Sequence, residues 1–285
     1  MSLSRPLLLL LSLSLFPLPS LSATDTVIYG GCTQLQYSPT SAYHTNLNSL
    51  LTSLLNSATY ISYNNYTIQA SSPQDTLYGL YQCRGDLSMP DCANCIAHAL
   101  TQLGTLCSNK CGAALQLDGC YVKYDNSTFL GVEDKTVVLK NCGPSIGYEG
   151  EAMAQRDAVL AALVGSSGAY RVGGAGNVRG VAQCVGDLSG SECQECVGEA
   201  IGRVKSVCAM GGYGDMFLGK CYVRYNTHGP PPPVLADNHN DKSNDDDGEK
   251  TFAIIVGLLA GIALLIIFLV FIRKVFERSG KEIHS

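Results

Sequence analysis

The stretch CRGDLSMPDCANC at residues 83–95 returns as CVGDLSGSECQEC at residues 184–196, an offset of 101 positions. The same offset carries Cys107 onto Cys208, and CYVKY at 120–124 onto CYVRY at 221–225. Self-similarity at one fixed period marks a duplicated structural unit. Each copy, roughly 100 residues long, must therefore fold around the same frame of six sulfurs. All 13 cysteines lie between residues 32 and 221, and twelve of them divide equally between the copies. Cys111 is left over, with Gly212 at the matching place.

Arg84-Gly85-Asp86 can be read as an adhesion tripeptide, and Cys92-x2-Cys95 as a zinc knuckle. The second copy argues against adhesion, because Val185 replaces Arg84 while Gly-Asp-Leu-Ser is kept. The kept residues have turn and helix-cap chemistry, with Ser88 and Ser189 at helix starts. The choice between zinc and disulfides rests on the compartment. Arg5, an apolar run over residues 6–17 and the small residues Ser20, Ser22 and Ala23 predict a secretory signal peptide over 1–23, cleaved after Ser22 or Ala23. Exported chains are oxidised, which favours disulfides over zinc thiolates. Two sequons, at Asn65 and Asn126, agree with export.

Residues 252–272 are an uncharged apolar run followed at once by Arg273 and Lys274. A helix of this length is about 31 Å long and matches a bilayer core, and the basic flank places it toward the cytoplasm. The chain reads as a single-pass membrane protein with its N-terminus outside. The tail, 273–285, is too short to fold into an enzyme. Segment 227–251 carries Pro230–Pro233 and then Asp245–Asp247, which describes a stalk, stiff first and then acidic and flexible. Formal charge is −5 for the whole chain and about −8 for the exterior once Arg5 and the tail are removed. That acidity argues against nucleic acid as a ligand.

Leu47, Leu50, Leu51, Leu54 and Leu55 follow helical spacing and predict a helix over Ala42–Ser57, with its counterpart at Glu151–Val164. Pro90 and Asp91 suit the first turn of a second helix running to Leu106, with Ile96, Ala99, Leu103 and Leu106 on its apolar face. Ile201, Val204 and Val207 repeat that face. Cys92 and Cys95 share one side of the helix and can staple it to strands. Alternation predicts strands at 66–70, 77–82, 113–117 and 120–124. The fold class is α+β: two tandem disulfide-stapled domains, 24–130 and 131–226, each an antiparallel sheet with two helices, followed by one membrane helix.

No catalytic constellation, cofactor motif or metal-spaced pair appears among His44, His98, His228 and His239. Gly173–Gly176 reads as a glycine loop, since its spacing to Gly180 does not fit a dinucleotide fingerprint. Ala253, Gly257 and Gly261 stand four apart on one face of the membrane run, as at helix-association surfaces. Cys111 reads as a buried thiol or a competitor of Cys107 for Cys32, the sharper alternative being an intermolecular bridge.

The spacing C-x8-C-x2-C, then Cys after eleven residues and Cys after twelve more, resembles the ginkbilobin-like cysteine-rich domain of plants. The resemblance implies the pairs Cys32–Cys107, Cys83–Cys92 and Cys95–Cys120, then Cys142–Cys208, Cys184–Cys193 and Cys196–Cys221. It also implies a mannose subsite built from Asn, Arg and Glu. Those positions hold Thr33, Ala114 and Asp125 in the first copy, and Gly143, Asp215 and Asn226 in the second, so Asn and Arg are missing from both. The complete arrangement, from signal peptide to short tail, resembles the plasmodesmata-located proteins. That implies a non-enzymatic type I protein of the plasma membrane at plasmodesmata, modulating cell-to-cell trafficking through callose deposition, with roles in defence and viral movement. Partners implied are the membrane, a second copy or a receptor kinase, a cell-wall glycan and viral movement proteins. The alternatives are a wall-carbohydrate-binding subunit serving a separate kinase, or a tethered antifungal lectin.

Overall fold

The computed structural model describes residues 23–72, 75–147 and 150–228. The expected signal peptide up to residue 22, the expected stalk beyond His228, the apolar run with Ala253, Gly257 and Gly261, and the expected tail lie outside the described residues.

Each copy is a five-stranded antiparallel sheet with two helices on one face. The first contains β1 (Val27–Cys32), α1 (Ala42–Ser57), β2 (Tyr63–Ile68), β3 (Leu77–Cys83), α2 (Met89–Leu106), β4 (Ala113–Leu117) and β5 (Cys120–Asp125). The second contains β6 (Val137–Cys142), α3 (Gly150–Gly165), β7 (Tyr170–Ala175), β8 (Val178–Cys184), α4 (Gly190–Val207), β9 (Tyr213–Leu218) and β10 (Cys221–Asn226). Strand order is β1-β4-β5-β3-β2 and, identically, β6-β9-β10-β8-β7.

Apolar periodicity marks α1, whose Ser41 makes no side-chain cap bond, and serine caps mark α2 and α4. Leu47, Leu50 and Leu54 of α1 are buried against β3 and α2, each such leucine stabilising the domain by about 1.5–3 kcal/mol. Ser88 caps α2 by accepting from the Asp91 amide, and Ser189 with Glu192 forms a complete capping box on α4. Leu106 and Val207, expected on the buried faces, are exposed. They occupy the last helical turn, and Leu106 lies over the edge strand β1, where a Cβ at Gly30 would stand 2.7 Å from it.

Three expectations change. The edge strands β1 and β6 were not among the expected strands: VIYGGC of β1 is glycine-rich, and VVLKNC of β6 is mostly exposed. The strand expected at 66–70 begins three residues earlier, at Tyr63. Gly173 and Gly174, expected in a loop, lie within β7. A Cβ at Gly173 would stand 3.4 Å from Val159, and one at Gly174 3.3 Å from the flexible Arg179 side chain; the turn itself comes at Gly176, with φ +52°.

Six disulfides close: Cys32–Cys107, Cys83–Cys92, Cys95–Cys120, Cys142–Cys208, Cys184–Cys193 and Cys196–Cys221. In each copy two of them tie one helix to two adjacent central strands. Each bridge contributes about 2–4 kcal/mol. Cys111 is a buried free thiol beneath Tyr43, whose hydroxyl donates to its carbonyl at 2.5 Å. Burial pushes this thiol upward. In the second copy, Ile146 occupies the space over Gly212.

Candidate functional site

A strand sends alternate side chains to opposite faces, so every other residue of β6–β10 points away from the helices. Register fixes how these residues align on the open face. One row runs Gly174, Arg179, Asn226, Tyr213; the next runs Val172, Val181, Arg224, Asp215, Asn141; the third runs Tyr170, Gln183, Tyr222, Phe217. Opposed neighbours in such rows stand about 4.5–5.5 Å apart.

The third row is where the two copies meet. Gln183 donates to the Cys83 carbonyl at 2.9 Å, and the Gly186 amide donates to Gln82 at 2.9 Å. The Gly-Asp turn of each copy rests on a tyrosine of the other. A Cβ at Gly85 would stand 2.5 Å from Tyr170, and one at Gly186 would stand 2.6 Å from Tyr63. Glycine at this turn is thus required by the partner domain's ring, since neither Gly85 nor Gly186 has a positive φ.

Arg84 enters the second copy's open face through this contact. It binds Asp86 at 2.6 Å and pairs with Asp118; Asp118 binds Arg224 at 2.6 Å; Arg224 binds Asp215 at 2.9 Å. The chain Asp86–Arg84–Asp118–Arg224–Asp215 ties the copies together across the cleft floor. Burial works against both guanidinium charges, but the flanking carboxylates outweigh it and hold Arg84 and Arg224 above the usual arginine range. Burial pushes the Tyr170 and Tyr222 phenols upward, so both are neutral. The result is an open cleft of about 630 Å3. Its lining combines tyrosine and valine with arginine, aspartate and asparagine.

The first copy treats the same face differently. Its Leu80 and Tyr121 are buried with Val185 of the second copy, and the interdomain linker lays Phe129 and Leu130 over them. Lys123 stands 4.5 Å from the Phe129 ring centre. Lys220 donates to the Phe129 carbonyl at 2.9 Å and pairs with Asp187, while the Gly131 amide donates to Asp187 at 2.9 Å. Each copy thus neutralises the aspartate of its Gly-Asp-Leu-Ser turn, the first with Arg84 and the second with Lys220.

Residues 31–127 and 147–228 match the family described as Salt stress response/antifungal. Plasmodesmata-located protein 7 of Arabidopsis thaliana is 62% identical over 259 residues, covering 91% of this chain and 86% of that relative. Plasmodesmata-located protein 6 of the same plant is 52% identical over 281 residues, covering 97% and 98%. The crystal structure of the tandem DUF26 ectodomain of PDLP5, an Arabidopsis thaliana cysteine-rich receptor-like protein, superposes with a TM-score of 0.69. It is 46% identical and covers 72% of this chain and 100% of that one. This chain belongs to the plasmodesmata-located protein family.

Within this family member the positions singled out in the sequence fall as follows. Asp215 and Asn226 come together in the cleft. Gly143 stands beside them but holds no side chain, and a Cβ there would lie 2.5 Å from the Tyr213 ring, so Tyr213 fills the place of an asparagine. Thr33 donates to the Gly112 carbonyl at 3.2 Å, and Ala114 is covered by the linker cluster. Asp125 closes over Gly112. Asn65 is exposed on β2 and donates to the Tyr63 hydroxyl at 2.7 Å, while Asn126 follows β5 directly. His98 is half exposed and 3.3 Å from Asp25. Among the described residues no group of three His, Cys, Asp or Glu side chains is placed to hold a metal. Arg84, Arg179, Tyr170 and Tyr213 were missed as cleft residues. The signal available for Arg84 was its replacement by Val185, which marks the one place in the turn where the copies must differ.

Proposed function

We propose that this protein is a non-enzymatic, single-span protein of the plasma membrane at plasmodesmata, with its paired domains facing the wall, and that it modulates cell-to-cell trafficking through callose deposition. The observation that carries this reading is the match to plasmodesmata-located protein 6 over 97% of the chain. The disulfide frame presents a rigid surface outside, and the apolar run anchors it. A full-length fluorescent fusion in plant cells tests the location. Puncta at cell–cell walls, lost when residues 252–272 are replaced by an unrelated span, are expected; uniform plasma-membrane signal contradicts it. Raising the protein's level should change wall callose and dye spread together. Unaltered callose with altered spread would separate the location from the mechanism.

The open cleft on the second copy favours a second reading, in which the ectodomain recognises a wall carbohydrate and serves a separate kinase.

A further inference from the structure

We infer that the open face of the second copy binds an acidic oligosaccharide, with Arg179 receiving the carboxylate of a uronate unit. The inference rests on the second reading above and names its ligand class.

The cleft has the size of small-molecule sites, about 630 Å3, with room for more than one sugar ring. Its charges are not equally available. Arg84 and Arg224 are each held between two aspartates, and Asp86, Asp118 and Asp215 each hold an arginine. Arg179 differs. Only its Nη1 is engaged, donating to the carbonyls of Gly176 at 2.5 Å and Val178 at 2.9 Å. Among the described residues no carboxylate lies within 4.0 Å of it, and its Nε and Nη2 make no hydrogen bond. Its neighbour across β7 is Gly174, which has no side chain to cover it.

One available guanidinium fits one planar carboxylate, which it can hold through two parallel hydrogen bonds. A phosphate dianion would call for a second free cation, and among the described residues lining the cleft the other two arginines, Arg84 and Arg224, are paired. Beside Arg179 in the same row stand Asn226 and then Tyr213, with Asp215 in the adjoining row. Asn226 Oδ1 accepts from the His228 amide at 2.8 Å and Asp215 Oδ1 from Arg224 at 2.9 Å, which leaves the Asn226 amide nitrogen and the second Asp215 oxygen for ring hydroxyls, while the tyrosine offers an apolar face to a ring. A carboxylate beside several hydroxyls on a ring is the chemistry of a uronate. The exterior as a whole is acidic, but exposed charges beyond about 8 Å are screened at physiological ionic strength. Recognition therefore depends on the local guanidinium, and a short oligomer is preferred to a long polyanion.

The solved relative is a tandem ectodomain by itself, so residues 24–228 are a folding unit that can be secreted and titrated. Calorimetry with trigalacturonate is compared with the same trimer after its carboxyls are reduced to alcohols. Saturable binding of the acid is expected, with the reduced trimer about tenfold weaker or more, as for loss of one charge-assisted pair. Arg179→Gln should remove that preference and change the reduced trimer's affinity far less; it also loses the bonds to the Gly176 and Val178 carbonyls, so a melting curve checks that the domain stays folded. Asn226→Leu, at an exposed rim position, should weaken both trimers several-fold, and serves if the arginine variant misfolds. Equal affinity of the two trimers for the unaltered ectodomain would overturn the acidic preference while sparing carbohydrate recognition. Acid binding unmoved by either substitution would overturn the placement. Binding of neither trimer would overturn the inference; the second reading then stands or falls on an array of other wall glycans, and the plasmodesmal reading on its own localisation test.

Discussion

The two copies share strand order, helix positions and all three bridges, yet they use one face of the sheet in opposite ways. In the first, Leu80 is 1% exposed under Phe129 and Leu130. In the second, the equivalent Val181 is half-buried and its neighbour Val172 is 42% exposed on the cleft wall. The helix-packed face cannot drift, because the sulfurs and the leucine and valine core fix it. The open face is free to diverge, and duplication lets one copy become scaffold while the other stays accessible. The turn residues record the division: Val185 fills the covered face of the first copy, and Arg84 reaches into the open face of the second.

If the helix-packed faces are equivalent, breaking the same bridge in either copy should cost the same. Replacing Cys95 and Cys120 together by alanine, or Cys196 and Cys221, should each lose about 2–5 kcal/mol and sharply reduce secretion. The two bridges close loops of equal sequence separation, 25 residues each. Melting curves that differ strongly between the two variants would break the equivalence.

The turn aspartates sharpen the contrast. The Lys220–Asp187 pair is nearly inaccessible, at 3% and 5%, whereas Arg84 and Asp86 are 23% and 12% exposed. Lys220→Met strands a buried carboxylate and should cost about 3–5 kcal/mol. Adding Asp187→Leu should restore much of it, measurable as a double-mutant cycle in urea. Arg84→Met should cost less, about 1–3 kcal/mol, because solvent reaches Asp86 and Asp118. The reverse order would mean that the first copy's ion pair is the more buried.

Phe129→Ala uncovers only the first copy's face. A loss of about 1–3 kcal/mol is expected, with the second copy's cleft unaffected. The smallest effect belongs to Cys111. Its burial and raised titration make it inert in the native protein, so iodoacetamide at pH 8 should label one thiol per exterior only after unfolding. Labelling in the native state would contradict that.

Legibility in the sequence followed the same divide. The repeat, the leucine periodicity and the serine caps made the helices readable, and α1 falls at the expected residues. The edge strands were not readable, because β1 and β6 are exposed and owe their pairing to β4 and β9 rather than to any pattern of their own. The cleft was hidden for a related reason. It forms only when the turn of one copy seats on Tyr170 of the other, and no local pattern announces a contact between residues 85 positions apart. Asp215 and Asn226 were reached through the family's mannose positions, while Arg179 was not, since a lone arginine in a glycine-rich stretch reads as solvated.

The claim that one face is covered and the other open is tested most directly by hydroxyl-radical footprinting of the native full-length protein, read residue by residue by mass spectrometry. Val172, Val181 and Tyr213 should oxidise readily, whereas Leu80 and Tyr121 should be protected, although leucine is intrinsically no less reactive than valine. Equal oxidation of Leu80 and Val181, or protection of both, would contradict the division between the copies.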